Sequence, residues 1–240
     1  MASTEQTTTT VRQGASSSVF AGILAYLQVR RLQPGDRLPS ERDLAERLNV
    51  GRNAVREALA TLVTLRVVES RPNSGIYLRH LAHDASFETM VLLTDMGATP
   101  TPTEVAETTE VRAHLELLAV DLACKRREDT DLARIESILD RTDALLERQG
   151  NISQLDTQFH IAVVDAGHNS TLVRTLNAFY RFTARRREMF FSDPTRALLS
   201  AREHRQLLAH IRARESANAQ RLVLREMDRA TNYWSNMLET

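Results

Sequence analysis

The 240-residue sequence predicts a mainly α-helical chain in two parts: a basic N-terminal third that closes in a short β-hairpin, and a C-terminal two thirds made of helices alone. Three observations predict this. Up to about residue 80, three short apolar-periodic segments are followed by a strand, tip, strand pattern. From about residue 84 onward apolar residues recur at helical spacing, with no credible strand and no internal repeat. Charge divides the chain at the same place, because residues 11–79 hold eleven arginines against six acids, a local +5 on a chain of formal net charge +0. A basic segment on a neutral chain points to a polyanionic partner for that segment alone.

The boundaries that follow are a polar tail over 1–15, a basic head over 16–80, a linker with the first helix of the C-terminal domain over 81–102, and an all-helical domain over 103–240. The first eighteen residues (MASTEQTTTTVRQGASSS) lack the apolar stretch of a secretory signal, and no run approaches the roughly 20 apolar residues that span a bilayer. A cytoplasmic protein without a membrane partner is expected. The single cysteine, Cys124, lies in LELLAVDLACK and reads as a small buried hydrophobe, so redox chemistry is not expected.

In the head, VFAGILAYLQVRR places Val19, Ile23, Leu24 and Leu27 on one helical face. Pro34-Gly35-Asp36 is a turn signal, and Ser40 with Asp43 three residues on has the form of a capping box that starts a second helix. Leu44, Ala45 and Leu48 face inward from it. A break of about three residues precedes a third helix marked by Ala54, Val55, Ala58, Leu59 and Leu62. Two short helices joined this tightly form a helix-turn-helix, whose second helix presents its N-terminal residues, here Arg52, Asn53 and Arg56, to a major groove. RVVESRPNSGIYLRH then reads as two strands around a tip at 71–75, which makes the unit a winged helix-turn-helix. Arginine at such a position pairs with guanine or phosphate, and asparagine reads adenine, although any one of these arginines could equally belong to an ordinary solvated face.

LPSERDLAERLNVGRNAVREALATLVTLRVVESRPNSGIYL resembles the DNA-binding domain of GntR-type bacterial transcription regulators, whose pattern is LPSER-x-LA, then R-x-x-V-R-E-AL, then a wing glycine. The resemblance implies that Arg42, Arg52 and Arg56 contact the operator and that Gly75 lets the wing backbone approach the minor groove. One position departs from the pattern. Gly51 stands where the family usually has Ser or Thr, so the cap lacks a hydroxyl and one phosphate contact is in question.

In the C-terminal part, helices are expected at about 84–96, 103–127, 129–149, 152–167, 169–191, 194–214 and 215–238. Val105, Val111, Leu115, Leu118 and Leu122 are expected to face inward from the second of them. Asp156 and His160 are four apart on a face flanked by Leu155, Phe159 and Val163, which suits either a hydrogen-bonded structural couple or part of a metal site. His204 starts another inward stripe with Leu207, Leu208 and Ile211 and is able to supply a third ligand. An Asp-His-His set suits zinc, nickel or manganese. His80, His83, His114, His168 and His210 are expected to be solvated or locally satisfied, and most of Arg185, Arg186 and Arg187 to lie on the surface.

TEVRAHLELLAVDLA, LDTQFHIAVVDAGHNSTL and SAREHRQLLAHIRARESANA resemble the FCD ligand-binding domain of the FadR subgroup of the same family. By that resemblance a divalent cation is ringed by Asp156, His160 and His204, with Glu226 at a position that is usually histidine. Glutamate there gives either an Asp-His-His-Glu site, which favours manganese or nickel over zinc, or a member that has lost its metal. Arg112 is the expected anchor of a small carboxylate effector, with Glu116 four residues on as the rival partner for its charge. The function implied is a homodimeric repressor that binds palindromic operator DNA under effector control. The alternatives are a metal sensor without organic effector, a metal-free member binding a larger acyl ligand, and a metal-dependent hydrolase. The last lacks a separate base, nucleophile or phosphate loop.

Overall fold

The structure is a computed structural model that describes residues 19–27, 29–80, 84–95 and 101–238, with side chains as far as Trp234. The tail over 1–15, His83 and residues 97–100 of the GATPTPTE break lie outside the described residues. The chain divides into two compact units, Met1–Thr99 and Pro100–Thr240.

The first unit contains α1 (19–27), α2 (Glu41–Leu48), α3 (Arg52–Thr64), β1 (Val68–Arg71), β2 (Gly75–Leu78) and α4 (Phe87–Asp95). Helix α2 starts where the capping box requires: Asp43 N donates to Ser40 Oγ at 3.2 Å, and Ser40 N donates to the Asp43 carboxylate at 3.3 Å. Asn49 ends it in the left-handed region at φ 53, and Gly51, extended at φ −69, opens α3 with no side-chain cap. Strands β1 and β2 pair antiparallel from Val68↔Leu78 to Arg71↔Gly75. The segment before α2 adds a third edge that sequence periodicity does not announce. Leu38 N donates to Ile76 O at 2.8 Å, Leu78 N donates to Asp36 O at 2.9 Å, and Arg37 bridges Tyr77. Phe20, Ile23, Leu44, Val55, Leu62 and Val67 form the centre of this unit's core. Leu93 of α4 belongs to the same cluster, so this helix packs within the N-terminal unit, whereas its sequence position had suggested the start of the C-terminal domain.

The second unit is all helix: α5 (Pro102–Arg126), α6 (Asp129–Glu147), α7 (Ser153–Asp165), α8 (Ser170–Phe190), α9 (Pro194–Arg212) and α10 (Ser216–Leu238). Proline at the first helical position starts both α5 and α9, behind Thr101 and Asp193 as caps. The main core joins Val120 and Ala123 of α5, Ile135 and Leu139 of α6, Phe159 and Val163 of α7, Leu207 and Ile211 of α9, and Leu222 and Val223 of α10. Helix α8 closes a second cluster against α5 and α7 through Leu172, Leu176 and Tyr180. On α5 the expected inward face is corrected, since Val111 is 51% and Leu118 45% exposed. The buried stripe runs instead through Val105, Arg112, Glu116, Ala119 and Ala123. Two charged residues occupy its middle, which is why counting apolar positions set the face about one residue off.

Candidate functional site

In the first unit, Arg52, Asn53 and Arg56 are exposed on the opening turns of α3, and Arg42 is exposed on α2. Arg56 Nη2 lies 3.0 Å from the Glu41 carboxylate, whose hydrogen bond and charge raise the guanidinium's pKa. Arg42 stands 3.8 Å from Glu46, one turn on. These pairings hold the side chains at the surface, and as solvated contacts they add little stability. Gly75 has φ 131, and a Cβ there would fall 2.7 Å from Arg37 Nε, so glycine serves both the turn and the close packing of Arg37 under the wing. Ser74 Oγ and Tyr77 OH are 2.6 Å apart, and the Arg71 guanidinium stands 4.1 Å from the Tyr77 ring. Arg37, Arg71 and Tyr77 thus form a basic wing surface that the motif reading did not single out.

In the second unit, five helices contribute to one buried polar cluster. Asp156 and His160 project from α7, one turn apart, between the core residues Leu155 and Phe159. His204 comes from α9, Glu226 from α10, Arg112 and Glu116 from α5, and Tyr180, Arg186 and Arg187 from α8. One ligating atom from each of Asp156, His160 and His204 lies within 4.8 Å of the others. His204 Nε2 is 3.5 Å from Asp156 Oδ1 and 3.1 Å from Glu226 Oε1, and His160 Nε2 is 3.8 Å from Asp156 Oδ1. Both Glu226 oxygens are buried, and the described polar group nearest to them is His204 Nε2. Glu226 therefore adjoins the convergent three through His204.

Glu116 organises the other side. Its Oε1 accepts from Arg112 Nε at 2.6 Å and from Tyr180 OH at 2.7 Å, while Oε2 stands 3.3 Å from His160 Nδ1. The i, i+4 ion pair with Arg112 is thus formed, and both partners are buried. Because an ionised carboxylate only accepts, Oε2 favours the tautomer with the proton on His160 Nδ1 and leaves the Nε2 lone pair facing Asp156 and His204. Phe159 stacks on His204 at 4.0 Å between ring centroids and fixes that ring.

The electrostatics agree with this arrangement. Burial resists charge on Glu116, but Arg112, His160 and Tyr180 together outweigh it and hold the carboxyl well below its usual range. Burial lowers the His204 pKa, so the ring is neutral, the form that ligates metals. Burial and then the charge of Arg112 push Arg187 down to about 9 and Arg186 to about 10. Arg187 contacts the Asp156 carboxylate through Oδ2, the oxygen turned away from the histidines.

Arg112, His160, Arg186, Arg187, His204 and Glu226 all line a small cavity of about 70 Å³ that is partly open to solvent. This corrects the expectation for the arginine triplet: Arg185 is exposed, but Arg187 is buried and Arg186 half-buried in the pocket wall. The signal was present in the spacing, since Leu176, Tyr180, Thr183, Arg187 and Phe190 form one helical stripe with steps of four, three, four and three. Among the other histidines, His114 Nδ1 is 2.9 Å from Glu110 O, His168 Nε2 is 3.0 Å from Asp131, and His210 Nδ1 is 2.7 Å from Glu215. None of these three lines the pocket.

Comparison with known proteins places both units. Residues 15–78 match the family of bacterial regulatory proteins of gntR type, and residues 107–229 match the FCD domain. The chain is 30% identical over 216 residues to the HTH-type transcriptional regulator LutR of Bacillus subtilis (strain 168), covering 87% of this chain and 95% of that protein. It is 32% identical over 165 residues to the putative L-lactate dehydrogenase operon regulatory protein of Escherichia coli (strain K12), covering 69% of this chain and 63% of that protein. It is 26% identical over 194 residues to the galactonate operon transcriptional repressor of the same strain, covering 80% and 84%. The fold is shared with a solved Streptococcus agalactiae GntR structure, at 23% identity and TM-score 0.51 over 91% of this chain and 99% of that one. It is shared also with the Listeria monocytogenes Lar structure, at 15% identity and TM-score 0.63 over 90% and 94%. These relatives are named as regulators, not enzymes, and among the described residues no helix is long and apolar enough to cross a membrane. A gntR-type winged helix-turn-helix joined to an all-helical FCD domain makes this chain a member of the GntR family of transcription regulators.

Proposed function

We propose that the chain is a cytoplasmic, homodimeric repressor whose hold on a palindromic operator is controlled by a small carboxylate bound beside a divalent cation in the second unit. The observation that carries this reading is the buried convergence of Asp156, His160 and His204, next to a buried Glu226 carboxylate 3.1 Å from His204. Mixed oxygen and imidazole donors fit a borderline cation, and a second carboxylate favours manganese or nickel over zinc. The cation would supply a positive, Lewis-acidic centre for an effector carboxylate. Arg112, whose described bond to Glu116 uses Nε, also lines the cavity and anchors the effector. In the head, Arg42, Arg52, Asn53 and Arg56 contact the operator, and the wing opened by Gly75 meets the adjacent groove. To act, the effector must bind the DNA-free arrangement of the dimer more tightly than the DNA-bound one.

A second reading rests on the contact between Arg187 and Asp156, in which a guanidinium supplies the positive charge and no metal is held. Elemental mass spectrometry on protein purified without affinity tag or chelator separates the two. Near-stoichiometric metal that is lost in His204→Ala supports the cation site, whereas no metal, with none taken up on addition, defeats it. For the head, Arg52→Ala and Arg56→Ala are each expected to abolish specific operator binding in a mobility-shift assay while the dimer survives on gel filtration. Wild-type operator affinity in both variants would sink the DNA assignment.

A further inference from the structure

Beyond Arg112, the cavity wall holds guanidinium nitrogens of Arg186 and Arg187 that the proposed carboxylate site leaves without an acceptor. Arg186 Nε and Nη2 are buried without a hydrogen-bond partner, and so is Arg187 Nε. Arg186 has no ion-pair partner among the described residues; its one described neighbour of note is the Phe182 ring, 5.3 Å from the guanidinium carbon. A buried guanidinium nitrogen without an acceptor is costly, and such groups in a pocket wall are donors kept for a ligand. Arg229 also lines the cavity, but it is committed to Glu203 through two hydrogen bonds.

The charges in the pocket make the same point. Arg186 and Arg187 share the wall with Asp156 and Glu226, and Arg112 is paired with Glu116 just behind it, so the formal charges there balance. A divalent cation among Asp156, His160 and His204 would leave two positive charges, and one carboxylate would neutralise half of them. A ligand with two negative groups would match both.

We infer that the effector carries two anionic groups, a small acid bearing a second carboxylate or a phosphate, and that Arg186 with the Nε of Arg187 forms the subsite for that second group. This rests on the proposed carboxylate pocket and goes beyond it, in that one acid group faces the cation and Arg112 while the other faces α8. Arg186 and Arg187 both line the cavity from α8 with unpartnered nitrogens, which suits the several acceptor oxygens of a carboxylate or phosphate.

The test is calorimetric titration of the full-length protein, saturated with Mn2+, against two pairs of acids differing only in the second anionic group: lactate and malate, and glycolate and 2-phosphoglycolate. In at least one pair the dianion is expected to bind about tenfold or more tighter than its partner, as two charge-assisted hydrogen bonds predict. Which pair shows the preference tells a dicarboxylate from a phosphorylated acid. Arg186→Gln is expected to remove most of that preference, Arg186→Lys to retain part of it, and Arg112→Gln to weaken monoanion and dianion alike. Equal binding within both pairs, or an Arg186→Gln variant that keeps the preference, overturns the second subsite while leaving the carboxylate pocket standing. If none of the four acids binds, the pocket reading fails and takes this inference with it.

Discussion

Glu116→Gln tests the polar cluster at its most constrained point. The carboxylate takes hydrogen bonds from Arg112 Nε and Tyr180 OH on Oε1 and faces His160 Nδ1 with Oε2. A glutamine of the same shape keeps one acceptor oxygen for Arg112 and Tyr180, but its amide nitrogen then points at His160 Nδ1. Two donors cannot face each other, so His160 shifts its proton to Nε2 and loses the lone pair that looks toward Asp156 and His204. Two effects of known size follow. With Arg112 and Glu116 both buried, neutralising one partner leaves an uncompensated charge and costs about 3–5 kcal/mol of stability. Losing the group that sets the histidine tautomer weakens metal affinity by about 10- to 100-fold. Urea denaturation of the chelator-treated protein reads the first, and competition titration with a fluorescent metal indicator reads the second. A variant with wild-type denaturation midpoint and wild-type metal affinity would refute the claim that Glu116 holds Arg112 and His160 together. Loss of stability with unchanged metal affinity would refute the tautomer step alone.

Three further outcomes are expected. Gly51→Ser supplies the missing cap of α3 at an extended φ of −69 with nothing within 4 Å of the new Cβ; it should stabilise the protein by a few tenths of a kcal/mol in thermal unfolding and tighten operator binding in a mobility-shift assay. Gly75→Ala, at φ 131, should cost about 1–3 kcal/mol and weaken operator binding, because the backbone conformation is unfavourable even where Arg37 swings aside; an unchanged melting temperature contradicts this. Stability of the metal-free protein should fall on acidification in two windows. Below about pH 6.5 the unfolded chain takes up a proton that His204, with its lowered pKa, refuses when folded. Below about 4.5 the stabilisation from Glu116, whose folded pKa is depressed by Arg112 and its other partners, is lost in turn; a denaturation midpoint that stays flat from pH 7 to 4 counts against both assignments.

The head was legible in the sequence because each of its signals is local. Ser40 and Asp43 cap one helix, the break at Asn49–Gly51 is short, and Arg71–Gly75 has the composition of a turn. Local signals do not reach across the chain, so the strand-like pairing of Asp36 and Leu38 with the wing went unread. In the second unit the limits of the helices followed from caps and prolines, but α5 was turned by about one position because two of its buried residues are charged. Asp156, His160 and His204 stood out as polar residues on apolar stripes. Arg187 occupies the same kind of place and was passed over because it is the third of three arginines, where repetition resembles a solvated surface.

Leu93, on a helix that follows the wing by several residues, shares an apolar cluster with Leu44, Leu59 and Val67. A gene fragment stopped at the last strand, where the DNA-reading motif ends, would therefore encode a head whose core lacks its final plug and presents a greasy notch to its neighbours in solution. Extending the fragment through Asp95 keeps that plug in the same piece, and the natural place to cut this chain lies one helix later than its motif suggests.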